Sequence, residues 1–460
     1  MTSHPRTITL ARRGMTLVEM LVALTATLIM MGAIAQVFSA FGSAINSSRS
    51  VLDVDARLRT VAWRLRSDLA GATARMLPPL SPEAGEGYFE VIEGPARDAD
   101  AAHNTTLAPA DHDDVLLFTT RSMDTPFVGQ APGGALFESN VAEVAWFARA
   151  TPGTSSPVTY TLYRRQMLVM GYVGVAPFAS SGTAGFTSWS AYFNQPCDIS
   201  ARREGSVLYP NTLSDLTRRE SRFLHNPNGT VTVAGFPFGF VAHQTASTSG
   251  TTETLPAAPA AVNGLIFDST SQRQGEDVVL TNVIAFDVRV FDPAAPVFVT
   301  TNGTPLVPGD PDFTNSPVAC GGFVDLGHGV TSNSLLSAAN IYPHFAGFGQ
   351  PLSQLVGSAS TRRTYDTWST HYEANGRDED GDSISDDGTN GLDDNGNGQI
   401  DELPTDSDGD GVYETATAGE LETSPPYPYP LRGIEVRIRC YEPSSRQVRQ
   451  ITVRQTFVPQ

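Results

Sequence analysis

Arg12-Arg13-Gly14-Met15-Thr16-Leu17-Val18-Glu19-Met20-Leu21 opens an apolar run that continues to about Phe41. Across residues 20–38 the only polar side chains are Thr25, Thr27 and Gln36, a length that matches the roughly 20 apolar residues needed to cross a bilayer core. Arg6, Arg12 and Arg13 precede the run, and no basic residue follows before Arg49. That asymmetry predicts an N-terminus held in the cytoplasm. Glu19 stands out, because a carboxylate inside a membrane segment is costly and is usually kept for a partner or a function.

Two plainer readings leave Glu19 without a role. Ala33-Ile34-Ala35 has the A-x-A form of a secretory cleavage site, yet the apolar run passes straight through it. A simple single-span anchor has no use for the carboxylate either.

The combination of Gly14, the apolar run and Glu19 at the fifth position after the glycine resembles the type IV prepilin (class III) signal. The resemblance implies cleavage by a prepilin peptidase between Gly14 and Met15, N-methylation of Met15, and assembly through Glu19, whose carboxylate neutralises the amine of a neighbouring subunit. The first mature residue of that family is usually Phe, and here it is Met15. The resemblance divides the chain into a leader (1–14), a filament-core helix (15–73) and a periplasmic domain (74–460). It implies insertion in the inner membrane lipid, with other pilins or pseudopilins as partners.

The helical pattern outlasts the membrane run. Val51, Val54, Leu58, Val61, Leu65 and Leu69 recur at three- and four-residue steps and form one stripe. Asp53, Asp55, Arg57, Arg59, Arg64, Arg66 and Asp68 fall on other faces. The helix should end near Gly71, with Pro78-Pro79 forbidding continuation. This region looks like its counterpart in J-type minor pseudopilins and large minor pilins.

Residues 115–119, 141–147 and 158–163 then read as three strands of an antiparallel meander. A further strand over 283–290, ended by Asp292-Pro293, and a closing hairpin over 434–457 complete a sheet on which the helix packs. In the hairpin, Ile434, Val436, Ile438 and Cys440 share one face, and Glu435, Arg437 and Arg439 share the other. Residues of about 171–276 and 293–430 read as two large insertions. The expected fold class is α+β, and the resemblance makes it pilin-like.

The formal charge is −19, which argues against nucleic acid as a partner. Every basic residue is Arg, so a lysine-bearing phosphate loop is absent, and no G-x-S-x-G or H-E-x-x-H motif is present. An anchored hydrolase, or any enzyme, finds no support in these motifs.

Fourteen Asp or Glu lie between Asp378 and Glu414, inside an acidic segment of about 376–416. Three copies of one pattern supply oxygen ligands at alternate positions: Asp378, Asp380, Asp382 and Asp386; Asp393, Asn395, Asn397 and Asp401; Asp406, Asp408, Asp410 and Glu414. Such loops suit a hard cation, Ca²⁺. None has the bidentate Glu at position 12, so they are not complete EF-hands; they resemble the calcium loops of dockerin and thrombospondin type 3 repeats. Without metal the same composition reads as a solvated linker. A membrane-anchored calcium-binding adhesin unrelated to pili is the alternative that uses both features. Of three cysteines, Cys440 falls on an apolar strand face, which by elimination leaves Cys197 and Cys320 as a disulfide candidate linking the insertions.

Overall fold

The computed structural model describes residues 16–76, 84–93, 111–112, 114–130, 135–151, 158–170, 197–204, 207–217, 221–223, 275–310, 313, 318–326, 363–367 and 431–457. The chain forms two compact units, Met1–Asp55 with Glu442–Gln447, and Ala56–Tyr441 with Val448–Gln460.

One helix, α1, runs Leu17–Ala70, about 80 Å at 1.5 Å per residue. Its stretch Leu17–Gly42 is long and apolar enough to cross a membrane, and none of it is buried. Further along, Val54, Leu58, Val61, Leu65 and Leu69 are all buried, as the spacing requires, and Ala62 joins them. Arg57, Arg59, Trp63, Arg64 and Arg66 are exposed.

The helix ends at Gly71 for a steric reason. A Cβ there would lie 2.2 Å from the Arg121 carbonyl oxygen and 2.6 Å from Thr120 Oγ1. Gly71 lets the helix run directly into the sheet, where Arg121 N–H donates to the Gly71 carbonyl at 2.7 Å and Thr73 N–H to the Thr119 carbonyl at 2.9 Å.

Among the described residues fourteen strands follow: β1 (Phe89–Glu93), β2 (Val115–Arg121), β3 (Phe127–Gln130), β4 (Leu136–Ser139), β5 (Val141–Ala150), β6 (Tyr160–Leu168), β7 (Ala201–Glu204), β8 (Val207–Pro210), β9 (Val278–Val299), β10 (Pro305–Leu306), β11 (Ala319–Val324), β12 (Arg363–Asp366), β13 (Gly433–Glu442) and β14 (Gln447–Thr456). Ten form one sheet in the order β12-β1-β2-β5-β6-β9-β13-β14, with β10 and β11 also paired to β9. Its pairings are antiparallel. The molecule is thus α+β, an N-terminal apolar helix with a large antiparallel sheet. The meander β2-β5-β6 and the β13-β14 hairpin stand where the strand patterns put them.

Both faces of the central strands are covered. Leu116 sits opposite Trp146, and Trp146 meets α1 through Asp68, so alternation turns Leu116, Phe118, Val144 and Trp146 to the helix. On the other face Val115, Leu117, Ala145 and Phe147 pack in one cluster with Cys197, Ile199, Leu216 and Phe223. Residues of the first insertion therefore form a covering layer. This explains why β2 is buried at six successive positions instead of alternating.

Strand β9 corrects one expectation. It does not stop at Asp292-Pro293 but reaches Val299, because β11 pairs with it across residues 290–297, with a register shift between Cys320 and Gly322. Strands β11 and β12 come from the second insertion and join the main sheet.

Leu65, with no exposed surface, tests the packing. Leu65→Ala should cost about 2–5 kcal/mol in thermal unfolding of the detergent-solubilised chain. Trp63→Ala, two residues away on the exposed face, should stay within about 0.5 kcal/mol of the parent.

Candidate functional site

The sequence singles out two places, the start of α1 and the acidic segment. Gly14 and Met15 lie outside the described residues, as do Asp378, Asp380, Asp382, Asp386, Asp393, Asn395, Asn397, Asp401, Asp406, Asp408, Asp410 and Glu414. Glu19 is described, and its surroundings are informative. Thr16 N–H and Thr16 Oγ1 lie 2.9 Å and 3.1 Å from Glu19 Oε2, and Glu19 N–H donates back to Thr16 Oγ1 at 3.3 Å. This is a capping box, T-x-x-E, which satisfies the free donors of a helix start reciprocally. The cue was present in Thr16-Leu17-Val18-Glu19, and it gives the carboxylate a local role that hydropathy does not reveal.

Away from the helix start, three groups of charged side chains form buried clasps. Asp68 was expected on a polar face, but it is buried, because it turns to the sheet. Its carboxylate accepts from Arg164 Nε and Nη2, both at 2.7 Å, and from Trp146 Nε1 at 3.0 Å. Its carbonyl accepts from Thr120 Oγ1 at 2.7 Å. One residue so ties the end of α1 to β2, β5 and β6.

Arg222 is the second clasp. Fully buried, it reaches Glu90 of β1 at 3.0 Å and Asp366 of β12 at 2.9 Å, and donates to the carbonyls of Leu216 and Thr217. Its guanidinium lies 4.1 Å from the centre of the Tyr88 ring. Burial works against its charge, but Asp366 and Glu90 outweigh burial and hold its pKa above the ordinary value. Beside it, the buried Glu143 accepts from Tyr88 Oη at 2.7 Å, Ser200 Oγ at 2.6 Å and Phe223 N–H at 2.8 Å. Burial and the Glu143 charge push the Tyr88 hydroxyl well up. Both insertions are thereby fastened to the sheet.

The third cluster lies on the polar face of β9 and β13, where Arg289 is paired with Asp287 at 3.0 Å, Asp310 at 2.7 Å and Asp325 at 3.1 Å. Glu435, on the same strand face as Arg437 and Arg439, is buried, and Arg437 binds it at 2.7 Å. Burial would raise the Asp310 carboxyl, but Arg289 and Arg437 and a Val307 N–H bond lower it overall. Between the parts of β9 paired with β6 and with β11, Phe286 N–H donates to the Asp111 carbonyl and Val288 N–H to the Asp114 carboxylate. Carboxylate oxygens of Asp111, Asp114 and Asp287 come within 4.8 Å of one another. Oxygen donors so arranged match the chemistry of a hard cation, while Asp114 and Asp287 already serve the backbone and Arg289.

The disulfide expectation is corrected. Cys197, Cys320 and Cys440 are free thiols. Cys197 is enclosed in the second-face cluster, whereas Cys320 is exposed on β11, so burial separates the two. Comparison with protein-family models, curated proteins and solved structures gave no match.

Removing the Arg222 cation should leave Glu90 and Asp366 buried and uncompensated, so Arg222→Met should cost about 3–5 kcal/mol by thermal unfolding. The pH response gives the sign. In the parent, the lowered Asp310 pKa supplies stability that is present above about pH 4 and lost as pH falls through the folded pKa. In Arg222→Met, protonation relieves the orphaned pair, so the deficit against the parent should narrow on acidification.

Proposed function

We propose that this chain is a minor pilin or minor pseudopilin, a structural subunit of a type IV pilus or type II secretion pseudopilus. The observation that carries the reading is the placing of Gly14 and Met15 just before, and Glu19 in the first turn of, a helix that is exposed through Gly42 and then buries a stripe from Val54 to Leu69. On this reading a prepilin peptidase cuts after Gly14 and methylates Met15. The protein sits in the inner membrane with its N-terminus in the cytoplasm and its sheet on the far side. The apolar helices bundle in the filament, where Glu19 meets the amine of a neighbour. Its role is assembly, not catalysis.

The capping box favours a second reading from another class, a membrane-anchored calcium-binding adhesin, because Thr16 gives Glu19 a use without any neighbour. Two substitutions separate the readings. Glu19→Gln keeps an acceptor for Thr16 N–H but removes the charge; Glu19→Ala removes both. If the charge pairs with a neighbour's amine, both variants should be processed yet excluded from sheared filaments. Normal incorporation of Glu19→Gln would reduce the residue to its cap and sink the filament role of the charge.

In either reading, Ca²⁺ held by the acidic loops offsets the repulsion among fourteen carboxylates and stabilises the bound form by mass action. Limited proteolysis between residues 378 and 414 should be slow with calcium and rapid after chelation, and Asp393→Ala with Asn395→Ala should lose part of the protection. Equal cleavage in both conditions, with no heat of calcium binding, would leave the segment a charged linker.

A further inference from the structure

The second unit leaves one face of α1 open. Ala56, Arg59, Trp63, Arg66 and Ala70 recur at three- and four-residue steps, and all five are exposed. Trp63 stands at the centre with 68% of its surface free. Arg57 and Arg64 flank it, also exposed. Residues 56–67 thus hold four Arg and no acid, in a chain whose formal charge is −19. The next acid, Asp68, is turned to the sheet and spent on Arg164 and Trp146.

The use made of arginine elsewhere sharpens the contrast. Arg164, Arg165, Arg222 and Arg289 are each buried against carboxylates of their own chain. On the open face, Arg66 reaches only the Thr452 carbonyl among the described residues, at 3.4 Å. Trp63 has no ring or hydrogen-bond contact among the described residues. Trp and Arg are the side chains most enriched where binding energy concentrates, clustered near the centre of an interface.

We propose that this face docks a helix of a neighbouring, non-identical subunit that presents carboxylates at helical spacing, with Trp63 as the anchor and Arg59 and Arg66 pairing on either side. The inference rests on the reading of the chain as a filament subunit. Charge selects the occupant. The same face of a second copy would set arginines against arginines, and like charges brought together disfavour such a contact. An anionic lipid surface would also suit Arg and Trp, but from Gly42 to Trp63 the helix rises about 30 Å, further than the headgroup layer reaches.

A photo-crosslinking amino acid in place of Trp63, in the full chain expressed alongside its filament system, tests the proposal. Irradiation should join it to a different prepilin-type subunit, at a peptide with Asp or Glu at three- or four-residue steps. Arg59→Glu with Arg66→Glu in the same chain should cut the adduct at least fivefold, and acid-to-Arg exchange in the mapped partner helix should restore it. Unchanged thermal unfolding of the Arg59→Glu, Arg66→Glu chain is the control that these exposed positions do not support the fold. An adduct to lipid, to a second copy or to its own residues, no adduct, or an adduct indifferent to the charge reversal would overturn the proposal. Incorporation of the parent chain into filaments is scored in parallel. Incorporation without the expected adduct defeats this inference alone, whereas an unprocessed, unincorporated parent chain defeats the filament reading beneath it.

Discussion

Asp68 is the constraint on which the domain depends. A helix that begins as an exposed apolar rod must be stopped, turned and fastened where the sheet begins, and a stripe of leucines and valines alone leaves rotation and sliding along the sheet loosely specified. The Asp68 carboxylate, held by both Arg164 nitrogens and the Trp146 indole, fixes the register of the last helical turn against β5 and β6. Its carbonyl and the close approach at Gly71 fix the same turn against β2. A buried charge pair is weak evidence for stability on its own, since desolvation offsets much of the attraction. Its value here is geometric, because only one placement of the helix satisfies all four donors.

The same device recurs further out. Arg222 holds β1, β12 and the turn at Leu216–Thr217 together, and Glu143 binds Tyr88, Ser200 and Phe223. The covering layer on the second sheet face is therefore held by buried polar clasps as well as by the apolar cluster around Phe147. Polar clasps specify position sharply because an unsatisfied buried donor or acceptor is costly. The described residues of the first insertion are in this way fastened to the sheet by polar contacts beside their apolar ones.

Much of this was legible in the residues. The helix, its stripe and its stop at Gly71 followed from three- and four-residue spacing, and the strands β2, β5, β6, β9, β13 and β14 from their apolar patterns. The misses share a cause. Polarity does not report burial: Asp68, on a polar face of the helix pattern, is buried on Arg164 and Trp146, which are distant in sequence, while Glu435 and Asp287 are buried beside Arg437 and Arg289, two residues along the same strand. Strand β1, Phe89-Glu90-Val91-Ile92-Glu93, is short and does not alternate strictly, since Val91 and Ile92 are apolar in succession, and both Phe89 and Glu90 are buried, Glu90 through Arg222. The end of β9 was misplaced because Pro293 stops a ladder only where its missing N–H is required. At the helix start, Glu19 was noticed as a costly carboxylate, while the T-x-x-E cap that satisfies it was readable and went unread.

Helix α1 joins the two halves of the account, since one uninterrupted element supplies both the apolar exposed run and the turn fastened by Asp68. If that run is a filament core, its mature start is set by a peptide bond whose cleavage leaves Glu19 at the fifth position. Mass spectrometry of the N-terminal peptide of membrane-extracted protein reads this directly. The account predicts a peptide beginning at Met15 and carrying one additional methyl group on its amine. A terminus at Gln36, or an intact leader through Gly14 and Met15, would contradict it.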